Sequence, residues 1–305
     1  MEEIEYLGET IYRWEVGAST YLAAPTRGAR LMNWNLSYAD GTFRDIIHWP
    51  DIDSIDKLVK ARGGNPILFP FSARTFSKGE IQKWVAPSGE TLPMPMHGFA
   101  RQGKFEITRI DQTGFAASLL PDSIAKEAYP FEYDFEVVYR FHAREMSVEL
   151  RLTNQGKISI PWSAGHHFYF TIPWIDGTSR EDYKLKIPAK KAVRQDAKGS
   201  LSPVKGIKKI DKISNPELVD RIHYQLTSPI IECYCTKDDS KLEIEVGTNP
   251  TPNSGYALVT WTETDESPFF CIEPWMGPPN APENEIGLHQ VAPGETQAFS
   301  VTIRT

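Results

Sequence analysis

Short runs of β-branched and aromatic residues follow one another along almost the whole chain, and glycine, proline, asparagine or aspartate separates each run from the next. Such runs predict strands, and the separating residues predict turns, as at Ala39-Asp40-Gly41. Helix-length segments do not alternate with the strands, as they would around a parallel sheet. The pattern therefore predicts an all-β protein, a large antiparallel β-sandwich with a few short helices.

Three segments depart from this pattern. In residues 51–62 apolar side chains recur at helical spacing, which predicts one short helix, and residues 121–129 are predicted to form a helical turn. Residues 184–212 are loop-like and rich in lysine, which favours a solvated surface segment over an anion-binding site.

The 305 residues contain no linker, internal repeat or low-complexity stretch, so we expect a single domain over residues 1–305.

Charge and cysteine content limit the possible partners and compartments. A formal net charge of −7 argues against non-specific binding of nucleic acid, which needs a basic surface. The N-terminal residues lack the basic and apolar regions of a signal peptide, and no apolar run approaches the roughly 18 residues of a membrane span. Cys233, Cys235 and Cys271 are an odd number of cysteines, which fits a reducing environment. We expect a cytoplasmic monomer or homodimer without nucleic-acid or membrane partners.

The segment 163–173 places two of the seven histidines side by side in a predicted strand. Successive side chains of a strand point to opposite faces, so His166 shares a face with apolar residues and His167 lies on the other face. The two faces are Ala164, His166, Phe168, Phe170 and Ile172, and Gly165, His167, Tyr169 and Thr171. The apolar face is predicted to lie in the core, which directs His167 into a polar cleft or solvent. A β-bulge at Gly165 would bring His166 into the cleft as well.

Glu273 is a carboxylate within the apolar run Pro268-Phe-Phe-Cys-Ile-Glu-Pro-Trp-Met-Gly277. Burying a carboxylate without a partner is costly, and desolvation raises its pKa toward neutrality, where it becomes a better base. A pairing with a buried arginine, or a role in capping a turn, is the structural alternative. We favour a functional role for Glu273.

His97, Arg101 and Arg74 are further candidates. His97 lies where a loop leads into a strand, and the neighbouring Gly98 and Arg101 suit a rim that faces a ligand. Arg74 follows the buried segment 66–71 and is either a surface charge or a planar donor for polar ligand groups. The remaining histidines, His48, His142, His223 and His289, have no convergent neighbours in sequence and are predicted to be structural.

Several chemistries lack their sequence signatures. The chain has no glycine-rich phosphate loop before a helix, no Gly-x-Ser-x-Gly motif and no second cysteine pair to complete a zinc-finger spacing. Two histidines and a carboxylate, His97, His167 and Glu273, could still hold a metal ion as a facial triad.

Five motifs occur in a fixed order along the chain and are fairly specific together. They are Pro66-Ile-Leu-Phe-Pro70 with Arg74, His97-Gly-Phe-Ala-Arg101, Gly165-His-His-Phe-Tyr-Phe170, Cys271-Ile-Glu-Pro-Trp275 and Pro293-Gly-Glu295. Their succession resembles that of the aldose 1-epimerase (galactose mutarotase) superfamily. The resemblance covers almost the whole chain.

This resemblance implies a galactose mutarotase-like supersandwich whose concave face binds a sugar without metal or cofactor. It implies that Glu273 is the general base, His167 the general acid and His97 a second active-site histidine. It further implies substrate binding by Arg74, to which we add Arg101 and Trp275. Ser72-Ala73 departs from the family pattern, where a glycine often precedes the arginine, and His166 is an additional histidine. The nearest candidate for the family's further aspartate is Asp220, which we leave outside the predicted site.

The resemblance predicts the interconversion of α and β anomers of an aldose. A base removes the proton of the C1 hydroxyl while an acid protonates the ring oxygen, and the opened ring recloses as the other anomer. The predicted partner is thus a small sugar, either free or phosphorylated. A hexose-6-phosphate would need cationic contacts from Arg101 or residues 184–212. A non-catalytic carbohydrate-binding sandwich remains an alternative, with Trp84, Trp162, Trp174 and Trp275 stacking on sugar rings.

Overall fold

The computed structural model describes residues 1–39 and 41–305, so Asp40 of the predicted turn at 39–41 lies outside the described residues. Within these residues the chain forms 28 strands, two short α-helices and four 3₁₀ turns. The strands are β1 Glu2–Tyr6, β2 Glu9–Val16, β3 Ser19–Ala24, β4 Arg30–Ser37, β5 Phe43–Ile47, β6 Ile67–Leu68, β7 Phe76–Ser77, β8 Glu80–Ile81, β9 Lys83–Val85, β10 Thr91–Pro93, β11 Lys104–Asp111, β12 Gly114–Leu120, β13 Tyr133–Phe141, β14 Glu145–Asn154, β15 Ile160–Trp162, β16 Gly165–His166, β17 Phe168–Thr171, β18 Tyr183–Lys186, β19 Ala189–Gln195, β20 Leu201–Pro203, β21 Ile210–Lys212, β22 Arg221–Leu226, β23 Ile230–Cys235, β24 Lys241–Val246, β25 Ala257–Trp261, β26 Phe269–Trp275, β27 His289–Val291 and β28 Thr296–Arg304. The helices are α1 Ser123–Ala128 and α2 Ala281–Asn284, and the 3₁₀ turns are Ile55–Lys60, Ala100–Gln102, Arg180–Asp182 and Pro216–Leu218.

Two large antiparallel sheets pack face to face. The larger sheet has 13 strands, with the central order β5-β17-β26-β25-β22-β19, and the smaller has nine, with β14, β28 and β24 at its centre. Aromatic side chains from both sheets meet between them: the ring of Trp14 lies 5.7 Å from that of Phe115, and Tyr21 stacks on Phe141 at 4.3 Å. Because each sheet buries one face against the other, the predicted antiparallel sandwich is confirmed.

The short helices agree with the sequence pattern in part. Helix α1 lies inside the predicted segment 121–129, and the Asp122 side chain caps it by accepting a hydrogen bond from the backbone N–H of Ala125 at 2.9 Å. The helix predicted over residues 51–62 is shorter, a 3₁₀ turn from Ile55 to Lys60. The side chains at positions 55, 56 and 59 lie outside the described part of the chain.

The prediction of a loop over residues 184–212 was wrong. Strands β18, β19, β20 and β21 occupy much of it and extend the edges of both sheets. Apolar residues such as Leu185 and Val193 are buried, while four of the cations in this segment form ion pairs. These pairs are Lys186 with Glu232, Arg194 with Glu217, Lys212 with Glu181 and Lys208 with Asp211. The many lysines on the solvent side masked the alternation that marks a half-buried strand.

The histidine segment divides into β16 and β17, with His167 between them. Gly165 pairs with Trp275, and Phe168 pairs with Ile272. Three residues separate the two pairs on each strand, so no bulge interrupts the pairing between them. His166 is fully buried and stacks on Phe168 at 5.3 Å between ring centroids. On the opposite face His167 stacks on Tyr169 at 4.8 Å. The predicted alternation is therefore confirmed, and His166 stays in the core.

Two of the four tryptophans proposed to stack on sugars lie in the core between the sheets. Trp84 is 1% exposed and Trp162 is 0% exposed. Their indole N–H groups donate to the Ala128 carbonyl and the Gln297 side chain. The expectation that they stack on a sugar was therefore wrong, because a ring enclosed by other side chains cannot contact a ligand.

Among the described residues, no helix is long and apolar enough to cross a membrane.

A close backbone approach holds the turn that carries His97 against the larger sheet. Phe69 and Gly98 form a parallel bridge, in which the Phe99 N–H donates to the Phe69 carbonyl at 2.9 Å. Gly98 has a φ of 70°, and a Cβ placed there would lie 1.8 Å from the Phe69 carbonyl oxygen. Only glycine therefore fits at this position.

We expect Gly98→Ala to lower the free energy of unfolding by about 2–5 kcal/mol, since a forbidden contact adds to the strain of a left-handed alanine. Gly89→Ala is the matched control, because Gly89 also has a positive φ (86°) but a Cβ at that residue would have nothing within 4 Å. That variant should lose only about 1–2 kcal/mol. Urea unfolding of both proteins measures the difference, and equal midpoints would contradict the steric argument.

Candidate active site

The site begins with the pairing of two neighbouring strands of the larger sheet. In the register that pairs Phe168 with Ile272, His167 falls opposite Glu273. Side chains at directly opposite positions of neighbouring strands lie on the same face, a few ångströms apart. Accordingly, Nε2 of His167 lies 3.5 Å from Oε2 of Glu273. A proton can pass between two such groups directly or through a bound hydroxyl.

Glu273 is deeply buried, at 2% exposure. Its Oε2 atom is enclosed and has no hydrogen-bond partner among the described residues. Burial raises the pKa of the Glu273 carboxyl well above its ordinary value, and the nearby negative charge of Asp220 raises it further. A raised pKa means that the carboxyl group binds a proton more readily than an exposed glutamate does.

His167 is fixed through its backbone. Its N–H donates to Oδ1 of Asn65 at 3.0 Å and to the Pro66 carbonyl at 3.2 Å. Burial lowers the pKa of the His167 imidazole to about 3, and the positive charges of Arg101 and Arg30 act in the same direction. The ring is therefore neutral near pH 7, and its Nδ1 has no partner among the described residues.

Asn65 connects His167 to the core histidine, His166. Its amide nitrogen donates to the Tyr139 hydroxyl at 2.8 Å and lies 3.1 Å from Nδ1 of His166. Since an amide NH₂ can only donate, Nδ1 of His166 accepts and the proton resides on Nε2. Sequence reasoning missed Asn65 because its partners, His166, His167 and Tyr139, are far from it in sequence.

His97 lies in a turn with a φ of 67°, supported by Ala73, whose φ is 60°. The His97 N–H donates to the Ala73 carbonyl at 2.7 Å, and the Ala73 N–H donates to Nδ1 of His97 at 3.1 Å. Nδ1 therefore accepts, and the ring proton is on Nε2. Burial lowers the pKa of His97 well below its usual range, and the positive charges of Arg101 and Arg74 act in the same direction. The His97 ring lies 5.5 Å from that of His167.

The three predicted sugar-binding residues have different environments. Arg74 is exposed, although its charge still acts on His97. Arg101 is partly buried and its Nε is enclosed without a partner in the described part of the chain. Trp275 is 3% exposed, and its indole N–H donates to the His166 carbonyl at 3.2 Å. The ring of Trp275 lies 6.0 Å from that of His97, and Trp275 shares a face of β26 with Glu273.

Several residues near the site were not in the predicted set. Asp220, considered and left out, lies close enough to Glu273 to influence its pKa. Cys271 shares a face of β26 with Glu273. The Cys271 sulfur lies within 4.8 Å of a donor atom of His167 and of a carboxylate oxygen of Glu273. The metal-binding set proposed from sequence was His97, His167 and Glu273. In the structure, Nδ1 of His97 accepts a hydrogen bond from the Ala73 N–H, so this atom is not available to bind a metal ion. Because alternate residues of a strand point to the same face, the sequence of β26 could have indicated that Cys271 lies beside Glu273.

Comparison with known families agrees with the motifs and the fold. The family model described as aldose 1-epimerase matches residues 11–304, nearly the whole chain. The chain belongs to the aldose 1-epimerase family.

Individual proteins that resemble this chain are distant from it in sequence and similar to it in structure. Protein LacX (plasmid) of Lactococcus lactis subsp. lactis is 23% identical over 247 residues, which cover 74% of this chain and 80% of LacX. A galactose mutarotase-like protein from Clostridium acetobutylicum has a TM-score of 0.80 at 18% identity, covering 99% of this chain and 97% of that one. The Slr1438 protein from Synechocystis sp. PCC 6803 has a TM-score of 0.75 at 23% identity, covering 100% and 99%. These structures confirm the galactose mutarotase-like fold.

For this aldose 1-epimerase family member we expect the rings of His166 and His167 to stay neutral between about pH 5 and 8, because burial lowers both pKa values to about 3. Nitrogen-15 NMR of the imidazoles should show no protonation of either ring over this range. The unfolded protein in urea is the control, in which all histidines should titrate near pH 6.5. A folded-state titration of His167 near pH 6.5 would contradict the burial argument.

Proposed function

We propose that this protein is an aldose 1-epimerase that interconverts the α and β anomers of a free aldose. The observation that carries the proposal is the approach of His167 Nε2 to Glu273 Oε2, at 3.5 Å on the same face of the larger sheet. Anomerisation needs one group to take a proton from the C1 hydroxyl and another to give one to the ring oxygen. These two atoms of a hemiacetal share a carbon, so a base and an acid a few ångströms apart match the reaction.

The proton balance follows from the two pKa shifts. Burial favours a protonated Glu273 and a neutral His167, so the pair holds one proton. Transfer of that proton to His167 runs against both shifts and gives the minor form of the pair that the proposal requires, a carboxylate base with an imidazolium acid. Glu273 then removes the proton of the C1 hydroxyl while His167 protonates the ring oxygen, and the C1–O5 bond breaks. Rotation about C1–C2 and the reverse transfers close the other anomer.

His97 supports the reaction as a neutral donor in this proposal. Its Nδ1 accepts from Ala73, so Nε2 carries the proton and can donate a hydrogen bond to a sugar oxygen. Arg74 and Arg101 would bind further hydroxyl groups, and Trp275 would pack against His97 and limit its movement. We further propose that the chain acts as a single cytoplasmic domain, as a monomer or a homodimer, with three buried free cysteines suited to a reducing compartment.

Replacement of Glu273 by Gln, or of His167 by Ala, is expected to lower kcat/KM for α-D-glucose or α-D-galactose by at least about 100-fold. Each acid–base group contributes roughly 10²- to 10⁴-fold to proton-transfer catalysis. Polarimetry of a freshly dissolved anomer measures the rate. The variants should keep the circular dichroism spectrum of the parent protein.

Glu106→Gln and His142→Ala serve as controls, since both side chains are exposed and lie outside the site. These variants should anomerise the sugar at the parent rate. If Glu273→Gln or His167→Ala turned over as fast as the controls, the assignment of the pair would be wrong. If the parent protein bound sugar but left the spontaneous rate unchanged, a non-catalytic carbohydrate-binding protein would replace the proposal.

A hexose-6-phosphate is the second candidate substrate, and the environment of Arg101 favours it. Nε of Arg101 is enclosed without an acceptor among the described residues. A guanidinium group with free donors can hold a phosphate through charge-assisted hydrogen bonds. The lysines of residues 184–212 do not favour an anion site, because several of them already pair with carboxylates.

Arg101→Ala should separate the two substrates. If the sugar is phosphorylated, the variant should lose about 10²-fold in kcat/KM for glucose-6-phosphate and only a few-fold for glucose, since buried charged hydrogen bonds contribute roughly 1.5–3 kcal/mol. Arg13→Ala, at an exposed ion pair with Glu2, is the control. Inorganic phosphate should compete with the phosphorylated substrate. Equal losses for both sugars would exclude phosphate recognition by Arg101.

A further inference from the structure

Cys271 introduces a third donor atom beside the proposed catalytic pair. Cys271 and Glu273 are two residues apart on β26 and therefore point to the same face. His167 lies on the neighbouring strand, opposite Glu273. One nitrogen, one sulfur and one oxygen from these three residues lie within 4.8 Å of one another. The three donors belong to side chains that commonly bind metal ions.

Two observations indicate that this cluster can accept a ligand. Glu273 is only 2% exposed, and its Oε2 is directed into the cluster without a hydrogen-bond partner among the described residues. Cys271 is fully buried and is a free thiol, not part of a disulfide. An enclosed polar atom without a partner carries a desolvation cost that a bound cation would remove.

We infer that His167, Cys271 and Glu273 form a binding site for a thiophilic divalent cation such as Zn²⁺, and that the cation inhibits the enzyme by occupying its acid–base pair. Zinc is held at about 2.0–2.3 Å by nitrogen, oxygen and sulfur ligands in a tetrahedron, so neighbouring donors lie roughly 3.3–3.7 Å apart. The His167–Glu273 separation of 3.5 Å already has this value. A small movement of the thiol toward the pair completes three ligands and leaves the fourth position to water.

Charge decides which cations suit the site. A thiolate and a carboxylate together neutralise a divalent cation, and the thiol and carboxyl protons leave to the solvent when it binds. The positive charges of Arg62, Arg101 and Arg30 act on His167 and oppose a cation, although Arg62 is paired with Glu263 at 2.8 Å. Because the arginines oppose binding, the cation has to form strong bonds to its ligands. Mg²⁺ prefers oxygen ligands and would not bind the thiolate, whereas Zn²⁺ and similar ions bind sulfur strongly.

The inhibitory consequence rests on the proposed function, whereas metal binding does not. A cation on His167 Nε2 and Glu273 Oε2 uses the lone pairs through which protons would pass to the sugar. Inhibition should therefore be reversed by a chelator. It should also be competitive with the sugar, because both ligands need the same atoms.

Cobalt(II) absorption tests the site directly. We expect Co²⁺ to give the intense visible bands of a tetrahedral centre together with a near-ultraviolet thiolate-to-cobalt band, both removed on addition of Zn²⁺. Cys271→Ala should abolish the thiolate band and weaken Co²⁺ binding by about 100-fold or more, since loss of even an outer-shell partner costs roughly 10- to 100-fold. Cys233→Ala is the matched control, because Cys233 is equally buried but lies on β23 of the other sheet. That variant should bind Co²⁺ like the parent.

The possible outcomes separate this inference from the proposed function. Tetrahedral Co²⁺ bands that disappear in Cys271→Ser as well as Cys271→Ala support the site even if the protein shows no anomerase activity. An active enzyme with no thiolate band at millimolar Co²⁺ overturns the inference and leaves the proposed function standing. Equal Co²⁺ affinity in Cys271→Ala and Cys233→Ala, with both proteins folded by circular dichroism, also overturns it.

Discussion

The antiparallel register between β17 and β26 is the constraint on which the site depends. Because Phe168 pairs with Ile272, His167 and Glu273 are placed opposite each other without any contribution from a flexible loop. The backbone ladder and the apolar residues of the opposite face maintain this register, since a one-residue slip would expose Phe168 and Phe170 and bury the polar side chains. The position of the proposed acid–base pair is thus fixed by the packing of the core.

Asn65 extends this control into the interior of the sandwich. One amide side chain binds the backbone of His167, the ring of His166 and the hydroxyl of Tyr139. Tyr139 belongs to the smaller sheet, so the network joins both layers of the fold at the site. These shared hydrogen bonds restrict the arrangement of the side chains around Asn65, although Nε2 of His166 has no partner among the described residues. The extra histidine at position 166 is therefore a support for its neighbour.

The sequence predicts the parts of this structure that depend on local pattern. Alternation in residues 163–173 assigned His166 to the core and His167 to the opposite face, and the structure agrees. The apolar surroundings of Glu273 predicted its burial, which the structure also shows. The pairing of His167 with Glu273 could not be read from alternation, because the two residues are far apart in sequence and a strand carries no mark of its partner. Asn65 was missed for the same reason, and residues 184–212 were misread because lysines obscured a weak alternation. The roles of Glu273, His167, His97, Arg74, Arg101 and Trp275 remain proposals.

The left-handed conformation of Ala73 has a consequence for how His97 is held. An alanine at a φ of 60° costs about 1–2 kcal/mol, a cost that glycine would avoid. Glycine, however, reaches many more backbone conformations than alanine does, so a glycine here would let the peptide groups that bind His97 rotate among several orientations. The methyl group of Ala73 limits this freedom, so in the proposed reaction the imidazole would lose less conformational entropy on binding a sugar. Under that proposal, the strain at residue 73 would preorganise His97 for its ligand.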